Sequence, residues 1–204
     1  MNKAVDILKL SWRELEAYPK DKTILFITFA PVEEHSHHMP LGVDILLGET
    51  WKNKAIEMIL EKNADYKILT MPPIPFAQGS ISGFPGNLHV SQRVIFLVTC
   101  GILDNIAKWG IKNIIVIASH GEPKHLIAIE EACEKINKKY GICAISPLGA
   151  FFSYKDLGMD LNFPSLIKEQ IEKYPNDFHA GWIETSAILR SEERRVGKEC
   201  RSRW

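Results

Sequence analysis

Residues 30–44, APVEEHSHHMPLGVD, contain a high density of side chains that can bind a metal ion. Two Glu, three His and one Asp occur in this short segment. Imidazole nitrogens and carboxylate oxygens are ligands that zinc and manganese accept in proteins. A polar surface loop is the alternative interpretation, so the rest of the chain must distinguish the two.

The same chemistry recurs where two predicted strands end. In an extended segment, side chains two residues apart point the same way, so Glu33 and His35 project together beyond the apolar run 22–31. A second apolar run, 112–119, is followed by His120 and Glu122 at the same spacing. Ligands of open α/β sheets bind beyond the carboxyl ends of the strands. This repetition favours a metal site over a polar loop.

Three further candidates follow from the sequence, and two of them, Asp44 and Glu184, have ordinary structural explanations when taken alone. Asp44 lies at the start of the next predicted helix, where a carboxylate is also a common N-cap. In the segment FHAGWIETS (178–186), His179 precedes an Ala-Gly pair whose backbone can approach a ligand closely. Glu184 follows on a predicted helix, where capping and surface exposure would equally explain an acidic residue.

Strands and helices alternate along the chain. Apolar runs predict strands and 3.6-residue periodicity predicts helices. The predicted strands are 22–31, 66–76, 112–119 and 142–147, and the predicted helices are 45–62, 91–110 and 122–141. Such alternation is typical of a three-layer α/β/α fold with a mostly parallel sheet. We expect one domain over residues 1–190.

The composition narrows the function classes. Of 204 residues, 25 are basic and 25 acidic, so nothing favours nucleic acid or an anionic membrane surface as a partner. The four cysteines form no CxxC pair, and no apolar run reaches the ~20 residues of a membrane span. The N-terminus is charged throughout and lacks the apolar core of a signal peptide. We therefore expect a cytoplasmic protein.

The last segment, SEERRVGKECRSRW (191–204), has a different character. It is rich in basic residues, almost without apolar ones, and shows no helical or strand periodicity. A natural basic tail that binds a partner is one interpretation. We favour the other, that this segment is foreign to the natural protein and does not contribute to the fold.

The motifs together resemble those of the creatininase (creatinine amidohydrolase) family. The first family motif, Gly-Ser-x-Glu-Gln-His-Gly-x-His-Leu-Pro with a later Asp, is similar to 30–44 at Glu33, His35, His38, Pro40 and Asp44. The second, Asn-Gly-His, resembles this chain at His120, and creatininase itself also has Glu two residues later. The third, His-Ala-Gly-x-x-Glu-Thr-Ser, matches 179–186 throughout. Departures include Glu34 for Gln and Ser36 for Gly.

The resemblance implies a metal-dependent hydrolase acting on carbon–nitrogen bonds other than peptide bonds. It implies two divalent ions, zinc and/or manganese with iron as a further candidate, bridged by Asp44 and by the hydroxide that attacks the amide. Family analogy assigns one ion to Glu33 and His120. It assigns the other ion to His35 and Glu122, and it makes Glu122 part of the catalytic group.

The resemblance also implies roles around the ions. We expect His179 to protonate the leaving nitrogen, and Glu184 to orient that His or to reach a metal. The expected pocket residues are His38, Phe84, Tyr154 and Tyr174. The expected partner is a small-molecule amide, cyclic or linear, and the expected assembly is a homo-oligomer, a hexamer by family resemblance. Outside the motifs, we expect His89 at a helix start and His125 at a helix surface.

Three alternatives remain open at this point. The family resemblance is also compatible with two other enzymatic functions, deformylation of a formamide and trimming of a peptide in cofactor maturation. A catalytically silent metal-binding domain would retain the same ligands. The sequence has no Trp between Trp109 and Trp182, where creatininase uses tryptophans over its ligand, so creatinine itself is not the expected substrate.

Overall fold

The computed structural model describes residues 4–79, 81–152, 158, 164–177 and 179–190. Strands β1 to β5 in this part of the chain are Val5–Asp6, Thr23–Phe29, Lys67–Thr70, Asn113–Ala118 and Cys143–Ile145. Helices α1 to α7 are Trp12–Glu16, Val43–Lys62, Gln92–Lys108, Pro123–Tyr140, Pro147–Phe152, Ser165–Lys173 and Trp182–Arg190. The boundary predicted at residue 190 stays a prediction, because 191–204 lie outside the described residues.

The strands form one parallel sheet in the order β1-β3-β2-β4-β5. The middle strand, β2, is buried along its whole length, as its continuous apolar run predicts. Phe26 of β2 pairs with Thr70 of β3 on one side and with Ile115 of β4 on the other. The strands β2 and β4 therefore lie side by side, and their carboxyl ends reach the same edge.

Helices cover both faces of the sheet, which confirms the predicted α/β architecture. On one face, α2 packs through Ile56 onto Ile24, Phe26 and Ile117. On the other face, α3 and α4 bury a larger apolar cluster against β2 and β4. Each helix contributes its apolar stripe to this core, and such burial supplies most of a helix's stability in a protein.

Local signals set the ends of the helices. Ser91 accepts a hydrogen bond from the backbone N–H of Val94 and begins α3. Gly141 ends α4 in the left-handed conformation, with a φ of 63°. Both ends agree with the sequence expectations.

The second predicted strand, 66–76, is shorter than expected. It ends at Thr70, after which three prolines remove backbone donors from any regular ladder. The chain continues beside the end of β2 instead. The N–H of Ile74 donates to the carbonyl of Thr28, and the N–H of Ala30 donates to the carbonyl of Ile74. This crossing holds residues 74–79 next to the first motif.

In the described part of the chain, no helix is both long and apolar enough to cross a bilayer. Among the described residues, Cys100, Cys133 and Cys143 are free thiols. Cys200 lies outside the described residues.

Candidate metal centre

The first motif enters the protein interior directly after β2. The N–H of Val32 donates to the carbonyl of Pro75, and the N–H of Glu33 donates to the carbonyl of Leu41. This second bond folds the loop back on itself. Glu33 and His35 are consequently both about 1% exposed, unlike the solvated side chains that a polar surface loop would present at these positions.

Close packing of α2 against the sheet brings Asp44 over the strand ends. The hydroxyl of Ser119, at the end of β4, donates to the backbone carbonyl of Asp44 at 2.7 Å. One turn later, a Cβ on Gly48 would collide with the Ser119 hydroxyl and would lie 2.7 Å from Cγ2 of Thr28. Glycine therefore permits the close approach of α2 that buries the Asp44 carboxylate.

His120 joins Glu33 and Asp44 in a first group of ligands. Its Nδ1 lies 3.2 Å from Oε2 of Glu33 and 3.3 Å from Oδ2 of Asp44. Its Nε2 lies 3.1 Å from the carbonyl oxygen of Gln78, an acceptor only, so Nε2 carries a proton. In the neutral ring, the lone pair of Nδ1 then points at two carboxylates, an arrangement that a cation between them stabilises.

His35 forms a second group with Asp44 and Glu184. Its Nδ1 lies 3.1 Å from the carbonyl oxygen of Glu33, so that nitrogen is the donor. Its Nε2 lies 3.6 Å from Oδ1 of Asp44 and 3.7 Å from Oε1 of Glu184. Asp44 thus turns one oxygen to each group, which is the arrangement expected of a ligand shared by two ions.

Hydrogen bonding within the described residues leaves this cluster incomplete. Oε2 of Glu33, Nε2 of His35 and Oδ2 of Asp44 are buried atoms without a hydrogen-bond partner. Buried polar atoms are seldom left in this state unless an ion or water completes them. In each group, one atom per residue lies within 4.8 Å of the others. The donor set and these orphaned atoms fit divalent metal ions.

In the metal-free protein, protons balance the negative charge of the cluster. Burial lowers the pKa of His35, but the carboxylates of Asp44 and Glu184 outweigh it and raise that pKa to about 10. Burial also lowers the pKa of His120, and the charges of Asp44 and Glu33 again raise it overall. Burial raises the pKa of Asp44, whereas the two histidines lower it more strongly. His35 is therefore protonated at neutral pH when no metal is bound.

His179 lies beside this cluster. Its ring centroid is 4.4 Å from that of His35, and its Nε2 donates to the backbone carbonyl of Glu34 at 2.7 Å. One carboxylate oxygen of Glu34 lies 3.5 Å from the same nitrogen. His179 also forms a third potential ligand group with Glu33 and His35.

Glu122 takes a different position from the other acidic candidates. Its carboxylate caps α4 by accepting the backbone N–H of His125 at 2.9 Å. With the Gln78 amide oriented to satisfy its hydrogen bonds, the amide nitrogen also donates to Oε1 of Glu122 at 3.0 Å. None of the three ligand groups found among the described residues includes Glu122. Its assignment as a ligand and catalytic residue stays a prediction, and Glu184 lies where that ligand was expected.

The expected pocket residues are distributed unevenly. Nε2 of His38 lies 3.0 Å from Oγ1 of Thr185, the residue after Glu184, so His38 borders the second group. Phe84 and Tyr174 are exposed, and Tyr154 lies outside the described residues. The pocket roles of these residues stay predictions.

One histidine differs from its sequence interpretation, and another makes a contact that the sequence interpretation did not include. His125 is fully buried rather than at the surface, and its ring packs edge-on against His120 at 5.5 Å. Burial lowers the pKa of His125 to about 3 and keeps the ring neutral. His89 precedes the α3 cap as expected, but its Nε2 lies 3.2 Å from Oε1 of Glu33. In the sequence, only the identity of residue 89 as a histidine could have indicated this contact.

Comparison with known proteins gives independent information on the family. The chain matches the creatininase family, described as creatinine amidohydrolase, over residues 8–202. This match includes most of the segment 191–204, whose origin stays a prediction. Creatinine amidohydrolase from Pseudomonas putida is 25% identical, with 93% of this chain and 72% of that protein covered.

Solved structures show the same fold. A manganese form of creatininase superimposes with a TM-score of 0.65 at 21% identity, covering 94% of this chain and 74% of that one. A creatininase variant of Zn-Zn type gives 0.64 at 19% identity, with the same coverage of 94% and 74%. With the family match extending over most of the sequence, this chain belongs to the creatininase family of amide-bond hydrolases.

Proposed function

We propose that this protein is a metal-dependent amidohydrolase that holds two divalent ions per chain and hydrolyses the C–N bond of a small-molecule amide. One observation carries the proposal. The carboxylate of Asp44 lies between two ligand groups, and the acceptor nitrogens of His35 and His120 both point towards it. Two ions sharing one carboxylate would satisfy every orphaned atom of the Glu33, His35 and Asp44 side chains.

Glu33, Asp44 and His120 would hold one ion, and His35, Asp44 and Glu184 would hold the second ion. These nitrogen and oxygen donors suit zinc or manganese, and iron is compatible with the same set. Relatives in manganese and zinc forms support this choice. When bound, such ions polarise an amide carbonyl and lower the pKa of a water molecule towards neutrality.

The protein's own residues supply orientation and proton transfer. The carbonyls of Gln78 and Glu33 keep the proton of His120 on Nε2 and that of His35 on Nδ1. His179 gives a proton to the leaving nitrogen. Because its Nε2–H is bound to the Glu34 carbonyl, the transferred proton is the one on Nδ1. The neighbouring Glu34 carboxylate lies 3.5 Å from Nε2 of His179 and helps to hold the ring in this orientation.

The substrate follows from the family only as a class, a cyclic or linear amide. The Pseudomonas putida relative is a creatinine amidohydrolase, but the absence of tryptophan between Trp109 and Trp182 favours another substrate here. Formamide deformylation and peptide trimming use the same bond chemistry. A cytoplasmic location and a homo-oligomeric assembly remain part of the proposal.

A substrate panel tests the activity. Protein loaded with Zn²⁺ or Mn²⁺ is incubated with creatinine, an N-formyl amine and short peptides, and the released amine is measured. We expect hydrolysis of at least one class, loss of activity on chelation, and its return when the metal is restored. Two bound ions without hydrolysis of any amide would contradict the enzymatic proposal and support a silent metal-binding domain.

A further inference from the structure

His89 contacts a proposed metal ligand without being a ligand candidate itself. Its Nε2 lies 3.2 Å from Oε1 of Glu33, whereas Oε2 of the same carboxylate faces Nδ1 of His120 at 3.2 Å. The two oxygens of Glu33 are therefore divided between two directions. One faces His89 and the other faces the first ligand group.

The backbone around His89 is held on both sides. The N–H of Leu88 donates to the carbonyl of Val32 at 2.9 Å, next to Glu33. The N–H of Val90 donates to the carbonyl of Ala77 at 2.8 Å, and Ala77 pairs with His89 as an isolated parallel bridge. These bonds tie the backbone at His89 to the first motif and to residues 74–79 at once.

Gly79 provides the space for that ring. A Cβ on Gly79 would lie 2.5 Å from Cε1 and 2.6 Å from Cδ2 of His89, and would also collide with Nε2. Any side chain there would displace the ring that contacts Glu33. The preceding residue, Gln78, accepts the Nε2–H of His120 through its backbone carbonyl. Two consecutive residues thus support two different ligands of the same group.

We infer that His89 is a positioning residue, which donates its Nε2–H to Oε1 of Glu33 and thereby keeps Oε2 directed at the metal. Gly79 is required because only a residue without a side chain admits the His89 ring. This inference rests on the proposed metal centre. Hydrogen-bonding partners of ligating residues contribute about 10–100-fold to metal affinity in other proteins, and we expect an effect of this size.

Manganese binding to the metal-free protein tests the role. The Kd is measured from the electron paramagnetic resonance signal of free Mn²⁺ in parent, His89→Leu, His89→Gln and His37→Leu proteins. Leu fills the space without a donor, so His89→Leu should weaken binding about 10–100-fold. Gln retains an N–H donor and should recover most of the loss. His37 is exposed on the loop that carries Glu33, so His37→Leu should bind Mn²⁺ as the parent does.

The glycine is tested by a double-mutant cycle. Gly79→Ala should weaken binding in the parent and have little further effect in a His89→Ala background, where the collision is absent. Parent-like affinity in folded His89→Leu protein, or equal losses in the Leu and Gln variants, would overturn the positioning role while leaving the metal centre intact. A parent protein that binds no Mn²⁺ would overturn both.

Discussion

Metal affinity should depend steeply on pH, because a proton and a metal ion compete for His35. In the metal-free protein, burial opposes protonation, but Asp44 and Glu184 raise the pKa of His35 to about 10. His35 therefore carries a proton at neutral pH that the second ion must displace. Each displaced proton changes the apparent Kd about tenfold per pH unit, so the Kd should fall about 100-fold between pH 7 and pH 9.

The assay is competition against a chromophoric chelator whose own pH dependence is known. Calorimetry in two buffers with different ionisation enthalpies counts the protons released. The Kd should level off above pH 10, and His120 should show the same direction because its pKa is also raised. Glu184→Gln removes one of the two carboxylates that stabilise protonated His35, so the pKa of His35 in the metal-free variant, followed by NMR titration, should be lower than in the metal-free parent.

The same shift has a consequence for stability. Because the pKa of His35 is raised from 6.5 to about 10, the protonated ring stabilises the metal-free protein fully below pH 6.5. This contribution is lost as the pH rises towards 10.

A Kd for the metal that does not change between pH 7 and pH 9, with no proton released, would contradict the prediction. It would show that His35 is already neutral in the metal-free protein.

Three further predictions separate the roles of neighbouring residues. Glu184→Gln should reduce the metal content from two ions to one. Glu122→Ala should keep both ions and lose about 1 kcal/mol of unfolding free energy, because the Glu122 carboxylate caps a helix. The reverse pattern of metal contents would restore Glu122 as the ligand. His179→Ala should keep its metals and lose about 10²–10⁴-fold in turnover, with a smaller loss on activated anilides; equal losses on both substrates would exclude proton delivery. Ser36→Gly should raise the unfolding free energy by at most about 1 kcal/mol in urea denaturation, because Ser36 has a φ of 62°, a left-handed conformation that glycine adopts at lower cost. Lower stability of the variant would show that the Ser36 side chain offsets the cost of this backbone conformation.

The elements defined by local pattern were predictable from the sequence. The buried strands β2 and β4 read as continuous apolar runs, and α3 carries its own cap at Ser91. The polar residues after the two strands were also predictable as neighbours, because parallel strands bring their carboxyl ends to one edge. Glu33 and His120 meet there as expected.

Contacts that depend on the packing of distant elements were not predictable. Glu184 reaches His35 because Ile188 of α7 packs against Val43 and Leu47 of α2, more than a hundred residues earlier. The capping of α4 occupies Glu122, although its spacing from His120 matched that of Glu33 and His35. Neither contact is indicated by the local hydrophobic periodicity of the sequence.

His89 shows the same limit from another side. Its contact with Glu33 requires residues 87–90 to lie between the first motif and residues 74–79, and it requires Gly79 to leave the space open. Because the sequence predicted segment 66–76 as one strand, nothing indicated that the chain would turn along β2 after Thr70.

The metal content of Asp44→Ala protein shows whether two ions depend on this one carboxylate. Elemental analysis of purified parent should give about two divalent ions per chain, and Asp44→Ala should lose both because each ligand group uses one of its oxygens. Glu57→Ala, on the exposed side of the same helix, should retain both ions. A full complement of metal in folded Asp44→Ala protein would contradict the shared-carboxylate centre.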